Sequence, residues 1–161
     1  RTLDIRTDTR IELGGTSLSI CEVPGHTPGS VVVLDERSNR LFTGDAIGSG
    51  YGVWMQTPTA VPLETYYESL VHLLKWLVDR GGRMSFHGGH RYQMFQSTHV
   101  PSFNPPSLGL LCDLIDLVDQ IVHGKIVGRI SNVDNIMELE PVLYAAYGRA
   151  EIQYKASNIR I

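Results

Sequence analysis

Three short segments of the sequence each place a possible metal ligand directly after a glycine. They contain His26 in Pro-Gly-His-Thr-Pro-Gly-Ser (residues 24–30), Asp45 in Thr-Gly-Asp-Ala (residues 43–46) and His90 in Phe-His-Gly-Gly-His (residues 86–90). Neutral imidazole and carboxylate are common zinc ligands, with bonds of about 2.0–2.2 Å. A carboxylate can also bridge two cations about 3.5–4 Å apart, as in two-metal hydrolytic sites. The residue types therefore indicate metal-assisted chemistry.

The sequence before each of these ligands has the pattern of a β-strand. Residues 17–23 alternate apolar and polar side chains, and residues 31–34 form a short β-branched run. Residues 41–43 continue beyond a polar turn, and residues 84–86 form a brief strand. Strand ends at one edge of a sheet can converge, whereas ligands in the middle of a strand point into the core or into solvent. We therefore expect the three ligands to meet at a sheet edge.

Two amphipathic helices complete the pattern and predict an α/β layered arrangement. Pro62 suits the first position of one helix, and Gly81 and Gly82 end it. Ser107 can cap the other helix, which stops at Gly124. The predicted apolar face of the first helix is Leu63, Tyr66, Tyr67, Leu70, Leu73, Leu74 and Leu77. That of the second is Leu108, Leu111, Leu114, Ile115, Val118, Ile121 and Val122.

Length and composition describe one ordinary globular domain. The chain has 161 residues, of which 42% are hydrophobic and 19% charged, with a net charge of -3. Because no basic run is present, nucleic acid and anionic membrane surfaces are not expected partners. No apolar stretch approaches the roughly 20 residues of a membrane span. Cys21 and Cys112 are expected to be buried free thiols, which favours a reducing compartment such as the cytoplasm.

Several residues near the three ligands have two interpretations each. His87 competes with His90 as a ligand, and we expect it instead to line the substrate pocket. Tyr51, Trp54 and Met55 follow Asp45 in a glycine-containing loop, where they could belong either to the core or to the pocket wall. Loops beside a catalytic group commonly bind the substrate. We therefore predict Tyr51, Trp54, Met55 and His87 as substrate-binding residues.

The three segments, in this order and at these separations, resemble the third, fourth and fifth metal motifs of the metallo-β-lactamase superfamily. The resemblance covers about residues 10–92. The second helix and the end of the chain are similar to the C-terminal extension of many bacterial hydrolases in that family. Aspartate at position 45 resembles the glyoxalase II-like and lactonase-like branches. The resemblance implies half of a four-layer αββα sandwich, a mixed sheet with helices on one face, with a metal-motif region at 1–100 and an extension at 101–161.

The resemblance also implies a role for each ligand. His26 would bind the first metal, Asp45 would bridge both metals, and His90 would complete the second. Two divalent metal ions would be required, zinc in the first place, with iron or manganese as alternatives. The implied reaction is hydrolysis by metal-activated water of a small ester, thioester or lactone-type bond in a small-molecule substrate. Thr27 and Ser30 would either organise the loop through local hydroxyl bonds or orient His26.

One departure from the family pattern concerns the rest of the metal site. The family's His-x-His-x-Asp-His run has no counterpart in this sequence, and the catalytic residues are expected upstream of Arg1. Each metal would retain two protein ligands, fewer than the three typical of catalytic zinc. We therefore expect this chain to be inactive alone and to bind zinc weakly or not at all. The alternative interpretation is a metal-free, non-catalytic interaction module that keeps the fold.

The implied sandwich predicts an exposed apolar sheet face on this chain. The residues expected on that face are Leu18, Ile20, Val31, Val33 and Leu41. Exposed apolar surface costs about 25 cal/mol per Å² relative to its burial. A homodimer in which two copies cover each other's face is the expected partner arrangement.

Overall fold

The computed structural model describes residues 4–48, 52–81, 83–90, 104–131 and 140–160. In chain order its elements are β1 (Arg10–Glu12), β2 (Ser17–Glu22), β3 (Val31–Asp35), β4 (Arg40–Gly44), β5 (Val53–Trp54), α1 (Leu63–Asp79), β6 (Ser85–Gly88), α2 (Leu108–Val122), β7 (Arg129–Ile130), β8 (Leu143–Tyr147) and β9 (Ala150–Tyr154). A single 3-10 turn, Ala156–Asn158, follows β9. The described residues thus form an α/β fold, as predicted.

The first sheet has the strand order β1-β2-β3-β4-β6. Its neighbours are antiparallel except for β4 and β6, which are parallel and connected through α1. A parallel pair needs a long crossover connection, commonly a helix, and α1 supplies it. The crossover brings the chain back beside β4, so that the ends of β4 and β6 are neighbours.

The side chains of the first sheet divide between two faces. Val32, Leu34 and Leu41 are buried in the core shared with the helices. Leu41 was expected on the opposite, apolar face, and that prediction is wrong. Phe42 occupies that face, pairs with Val33 and is 45% exposed. Side chains alternate between the two faces along a strand, so neighbouring Leu41 and Phe42 lie on opposite faces, and an error of one residue in the predicted register exchanges them.

We use the name outer face for the side of the first sheet opposite the helices. Its apolar members include Leu18, Ile20, Val31, Val33 and Phe42, and Ile11 of β1 pairs with Leu18 on the same face. Ile20 is 3% exposed, whereas Leu18, Val31 and Val33 are half-buried. The outer face therefore exposes part of its apolar surface, with Phe42 its most exposed apolar residue among these five.

The second sheet has the strand order β5-β9-β8-β7. Residues 126–130 and 150–154 alternate loosely in the sequence and indicate short strands near β7 and β9, whereas no sequence pattern predicts β5 or β8. Two residues of β5 are too few to show a period, and β8 contains Ala145 and Ala146, which have low strand propensity. Both strands form by pairing with β9, a contact that the sequence pattern within each strand does not indicate.

The helices begin and end close to the predicted signals. Helix α1 follows Pro62 and precedes Gly81, whose φ is 85°. The Ser107 hydroxyl accepts a hydrogen bond from the Leu110 amide at 3.1 Å and so caps α2. Helix α2 packs against α1 on one side and against β8 and β9 on another. It therefore connects the two sheets through one core.

The cysteines differ from the expectation in one case. Cys21 is fully buried, and burial raises the pKa of its thiol to about 11. Cys112 is exposed on α2, so the prediction of a buried thiol is wrong there. Its neighbour Leu111 faces the core, which turns the adjacent position outward.

No helix among the described residues combines the length and apolar character needed to cross a membrane.

Candidate metal centre

The sheet topology places the three predicted ligands at one edge. Strand β3 is antiparallel to both β2 and β4, and β6 is parallel to β4. Strands β2, β4 and β6 therefore run in the same direction, and their carboxyl ends lie at the same edge of the first sheet. His26, Asp45 and His90 follow those three ends.

Asp45 and His90 are in direct contact at this edge. Nε2 of His90 lies 3.2 Å from Oδ2 of Asp45, and the two side chains are 51% and 39% exposed. Two bonds of about 2.1 Å at a tetrahedral angle place two ligand atoms of one zinc ion about 3.4 Å apart. The observed separation therefore fits two ligands of one cation as well as it fits a hydrogen-bonded pair.

Glycines permit the close approach of the strands that carry this pair. The Gly89 amide donates a hydrogen bond to the Gly44 carbonyl at 3.3 Å. A Cβ atom on Gly89 would lie 3.1 Å from the Gly44 Cα, and Gly44 has a φ of 52°. The backbone turn at Gly44 and the absence of a side chain on Gly89 thus bring Asp45 and His90 into contact.

His26 is oriented by a backbone carbonyl. Its Nδ1 atom lies 2.6 Å from the Trp54 carbonyl oxygen. Because a carbonyl can only accept, Nδ1 carries the proton and the Nε2 lone pair is left for a metal ion. A hydrogen bond from the second ring nitrogen to a carbonyl is usual for metal-binding histidines. The donor set at this position therefore fits a metal ligand.

Thr27 and Ser30 organise the loop around His26. The Ser30 hydroxyl accepts a hydrogen bond from the Thr27 amide at 3.2 Å, and the two hydroxyl oxygens lie 2.9 Å apart. These hydroxyl contacts lie within the loop, in agreement with the first of the two expected roles, which is to organise the loop.

His87 lies on the outer face of the first sheet. Its ring centroid is 5.5 Å from that of Phe42, and its Nε2 atom lies 3.3 Å from the Ser85 hydroxyl oxygen. The contacts of its ring are thus with neighbouring sheet residues. Its role in substrate binding stays a prediction.

The three aromatic and sulfur-containing residues proposed for the pocket wall have different positions. Trp54 is 44% exposed, and its side chain is accessible. Met55 is fully buried in the hydrophobic core and offers no surface to a substrate. Of the two interpretations given for Met55, the core position is the observed one. Tyr51 lies outside the described residues.

The three ligands do not form one cluster in the described ranges. Those ranges contain no group of three or more His, Cys, Asp or Glu side chains placed to hold a metal ion. Strand β3 lies between β2 and β4, so the strand that precedes His26 is not adjacent to the strand that precedes Asp45. The structure thus forms the Asp45–His90 pair and leaves His26 apart from it.

This chain spans about half the length of the solved structures that it resembles. ETHE1 from Myxococcus xanthus is 21% identical, with a TM-score of 0.47, over 71% of this chain and 51% of that protein. A metallo-β-lactamase from Pontibacter korlensis is 20% identical, with a TM-score of 0.48, over 71% and 47%. TTHA1623, solved in a di-iron-bound form, is 26% identical, with a TM-score of 0.42, over 63% and 42%. No curated protein matches the chain significantly.

The sequence model of one protein family matches more than half of the chain. That family is described as the metallo-beta-lactamase superfamily, and the match extends over residues 3–91. The matched range contains His26, Asp45 and His90, the three residues at the sheet edge. This chain therefore belongs to the metallo-β-lactamase superfamily.

Proposed function

We propose that this chain supplies part of the metal site of a hydrolase that cleaves a small ester, thioester or lactone-type bond. The observation that carries the proposal is the 3.2 Å separation between Asp45 Oδ2 and His90 Nε2 at the carboxyl ends of two parallel strands. Membership of a superfamily composed mostly of metal-dependent hydrolases supports it.

Each residue has a distinct task in this proposal. His26 would hold one divalent ion and His90 the other, and the Asp45 carboxylate would serve both. Such ions, with zinc as the first candidate and iron or manganese as alternatives, would lower the pKa of bound water toward about 7 and polarise the scissile carbonyl. Trp54, which is 44% exposed, is the candidate for contact with the substrate.

A metal-free interaction module is the second candidate function. It is supported by the lack of a group of three metal-binding side chains in the described ranges, which leaves His26 outside the Asp45–His90 pair. The two candidates differ in one measurable property, which is whether these residues bind a divalent cation at all.

Calorimetric titration with zinc distinguishes the two candidates. We expect weak binding to the wild-type chain, because each ion finds fewer than three of the usual protein ligands. His90→Ala is expected to reduce the affinity at least about tenfold, since even residues that only support a ligand contribute 10–100-fold. His72→Ala is the matched control, because His72 is an exposed histidine on α1, and it should leave the affinity unchanged.

Two results would contradict the metal proposal. Zinc binding that is equally strong in His90→Ala and in the wild type would mean that the ion binds elsewhere. An absence of detectable binding at millimolar zinc would favour the interaction module. Tight stoichiometric binding lost in His90→Ala would keep the site but show that a further ligand completes it.

We further propose that the outer face of the first sheet pairs with a second copy of the chain. Phe42, 45% exposed, and the half-buried Val31 and Val33 contribute apolar surface to the outer face. A surface of this kind can face its own copy across a twofold axis, which is the commonest symmetry of homodimers. Removing the apolar surface from water at about 25 cal/mol per Å² is the driving force.

Sedimentation at several protein concentrations tests this association. The wild type is expected to shift from monomer to dimer as concentration rises, and Phe42→Ser should move that transition to higher concentration. Val71→Ser serves as the control, because Val71 is 41% exposed but lies on α1. A wild type that stays monomeric at the highest concentration would exclude the dimer.

A further inference from the structure

The loop that carries His26 is held by the chain segment of residues 53–61. Besides the bond from His26 Nδ1 to the Trp54 carbonyl, the Thr57 hydroxyl donates to the His26 carbonyl at 3.3 Å. The Val61 amide donates to the Gly25 carbonyl at 3.0 Å. The segment thus contacts both the ring and the backbone of the predicted ligand, so its position determines where the imidazole lies.

The segment is in turn held by the C-terminal part of the chain. The side-chain amide of Asn158 donates to the Met55 carbonyl at 3.1 Å and to the Val61 carbonyl at 3.0 Å. The Met55 amide donates to the Gln153 carbonyl at 2.6 Å, which extends the pairing of β5 with β9 by one residue. Asn158 therefore joins the two ends of the segment that contacts His26.

The side-chain amide of Asn158 has the donors that these two contacts need. Both partners of its side chain are carbonyl oxygens, so both of its bonds must be donated, and an amide nitrogen carries two protons. Aspartate has nearly the same shape but no donor, and leucine has similar size without polar atoms. Either substitution would leave the Met55 and Val61 carbonyls without these bonds.

We infer that Asn158 is a positioning residue that fixes the orientation and the tautomer of His26 through residues 53–61. With the Trp54 carbonyl held in place, the neutral imidazole keeps its proton on Nδ1. This leaves Nε2 as the only ring atom able to bind a cation. The link to metal binding rests on the proposed function, whereas the control of the His26 tautomer does not.

Nuclear magnetic resonance of the His26 ring tests the inference in the metal-free chain. At mildly alkaline pH, long-range correlations between ring protons and ring nitrogens identify the protonated nitrogen. The wild type is expected to show the Nδ1-protonated form alone. Asn158→Asp and Asn158→Leu are both expected to give a mixture of the two tautomers, because the carbonyl that selects one of them is no longer held.

Two controls separate positioning from a general loss of stability. Ser157→Ala removes the neighbouring hydroxyl, which donates to Glu140, and should leave the His26 signals unchanged. Ile115→Ala weakens the core from α2 and should lower the unfolding midpoint without altering the tautomer. Unchanged His26 signals in both Asn158 variants, or the same mixture in Ile115→Ala, would overturn the inference.

Zinc titration of the same variants keeps the two proposals distinguishable. A tautomer change in the Asn158 variants with no zinc binding in any variant would support the positioning role and contradict the proposed function. Zinc binding that depends on His90, with an unchanged tautomer in the Asn158 variants, would support the proposed function and contradict the positioning role of Asn158.

Discussion

Replacing Gly25 by alanine is expected to destabilise the chain by about 1–3 kcal/mol, the usual range for an overpacked interior. A Cβ atom at this position would overlap the ring of Tyr66. That ring is fully buried, and its hydroxyl donates a hydrogen bond to the Ala46 carbonyl at 2.6 Å. The ring cannot move aside without losing this bond, so we expect the loop to move and to displace His26.

Urea denaturation of Gly25→Ala measures the first effect, and the His26 ring signals report the second. Gly29→Ala is a closely matched control, because it adds the same methyl group to the same loop and its Cβ would meet nothing within 4 Å. We expect that variant to keep the wild-type unfolding midpoint and His26 signals. Equal stability of the two variants would show that Tyr66 does not constrain Gly25.

Leu114→Ala is expected to cost about 2–5 kcal/mol, as is usual for a fully buried leucine. Leu114 has no exposed surface and lies on α2, the helix that packs against α1 and against the second sheet. The cavity would therefore form where the two sheets share their core. Because α2 connects the sheets, we expect them to unfold together in this variant as in the wild type.

The Leu114 prediction is checked by following urea unfolding with circular dichroism and with the fluorescence of Trp54 and Trp76. Trp54 lies in the second sheet and Trp76 on α1, which contacts the first sheet, so their signals report on both parts of the fold. Ile115→Ala is the control, because Ile115 is only half-buried on the same helix and should cost less. Separate transitions for the two signals would mean that α2 does not unite the sheets.

The elements of the fold that could be predicted are those with a long repeating pattern. Both helices were located by their apolar period and end signals, and Ser107 caps α2 as expected. Trp76 and Leu117 are buried although they were left out of the predicted faces. A helix packed on more than one side buries a wider stripe than its most regular apolar positions indicate.

The sequence predicts which residues of the candidate site follow strand ends, and their role as metal ligands stays a prediction. Asp45 and His90 each follow a glycine after a strand, and the structure brings them together. The Trp54 carbonyl that orients His26 has no sequence signal, because every residue has a carbonyl. Asn158 has no local signal either, since its partners lie 103 and 97 residues away along the chain.

Because α1 lies between Asp45 and His90 in the sequence, the ribosome adds the two residues at different times. Asp45 and His90 are 45 positions apart, with α1 and β6 between them. At about 5–20 residues per second, a ribosome adds His90 roughly 2–9 s after Asp45. During that interval the β3–β4 hairpin can already form, but the carboxylate has no histidine beside it. Any cation that needs both ligands is therefore taken up only after the crossover has been made.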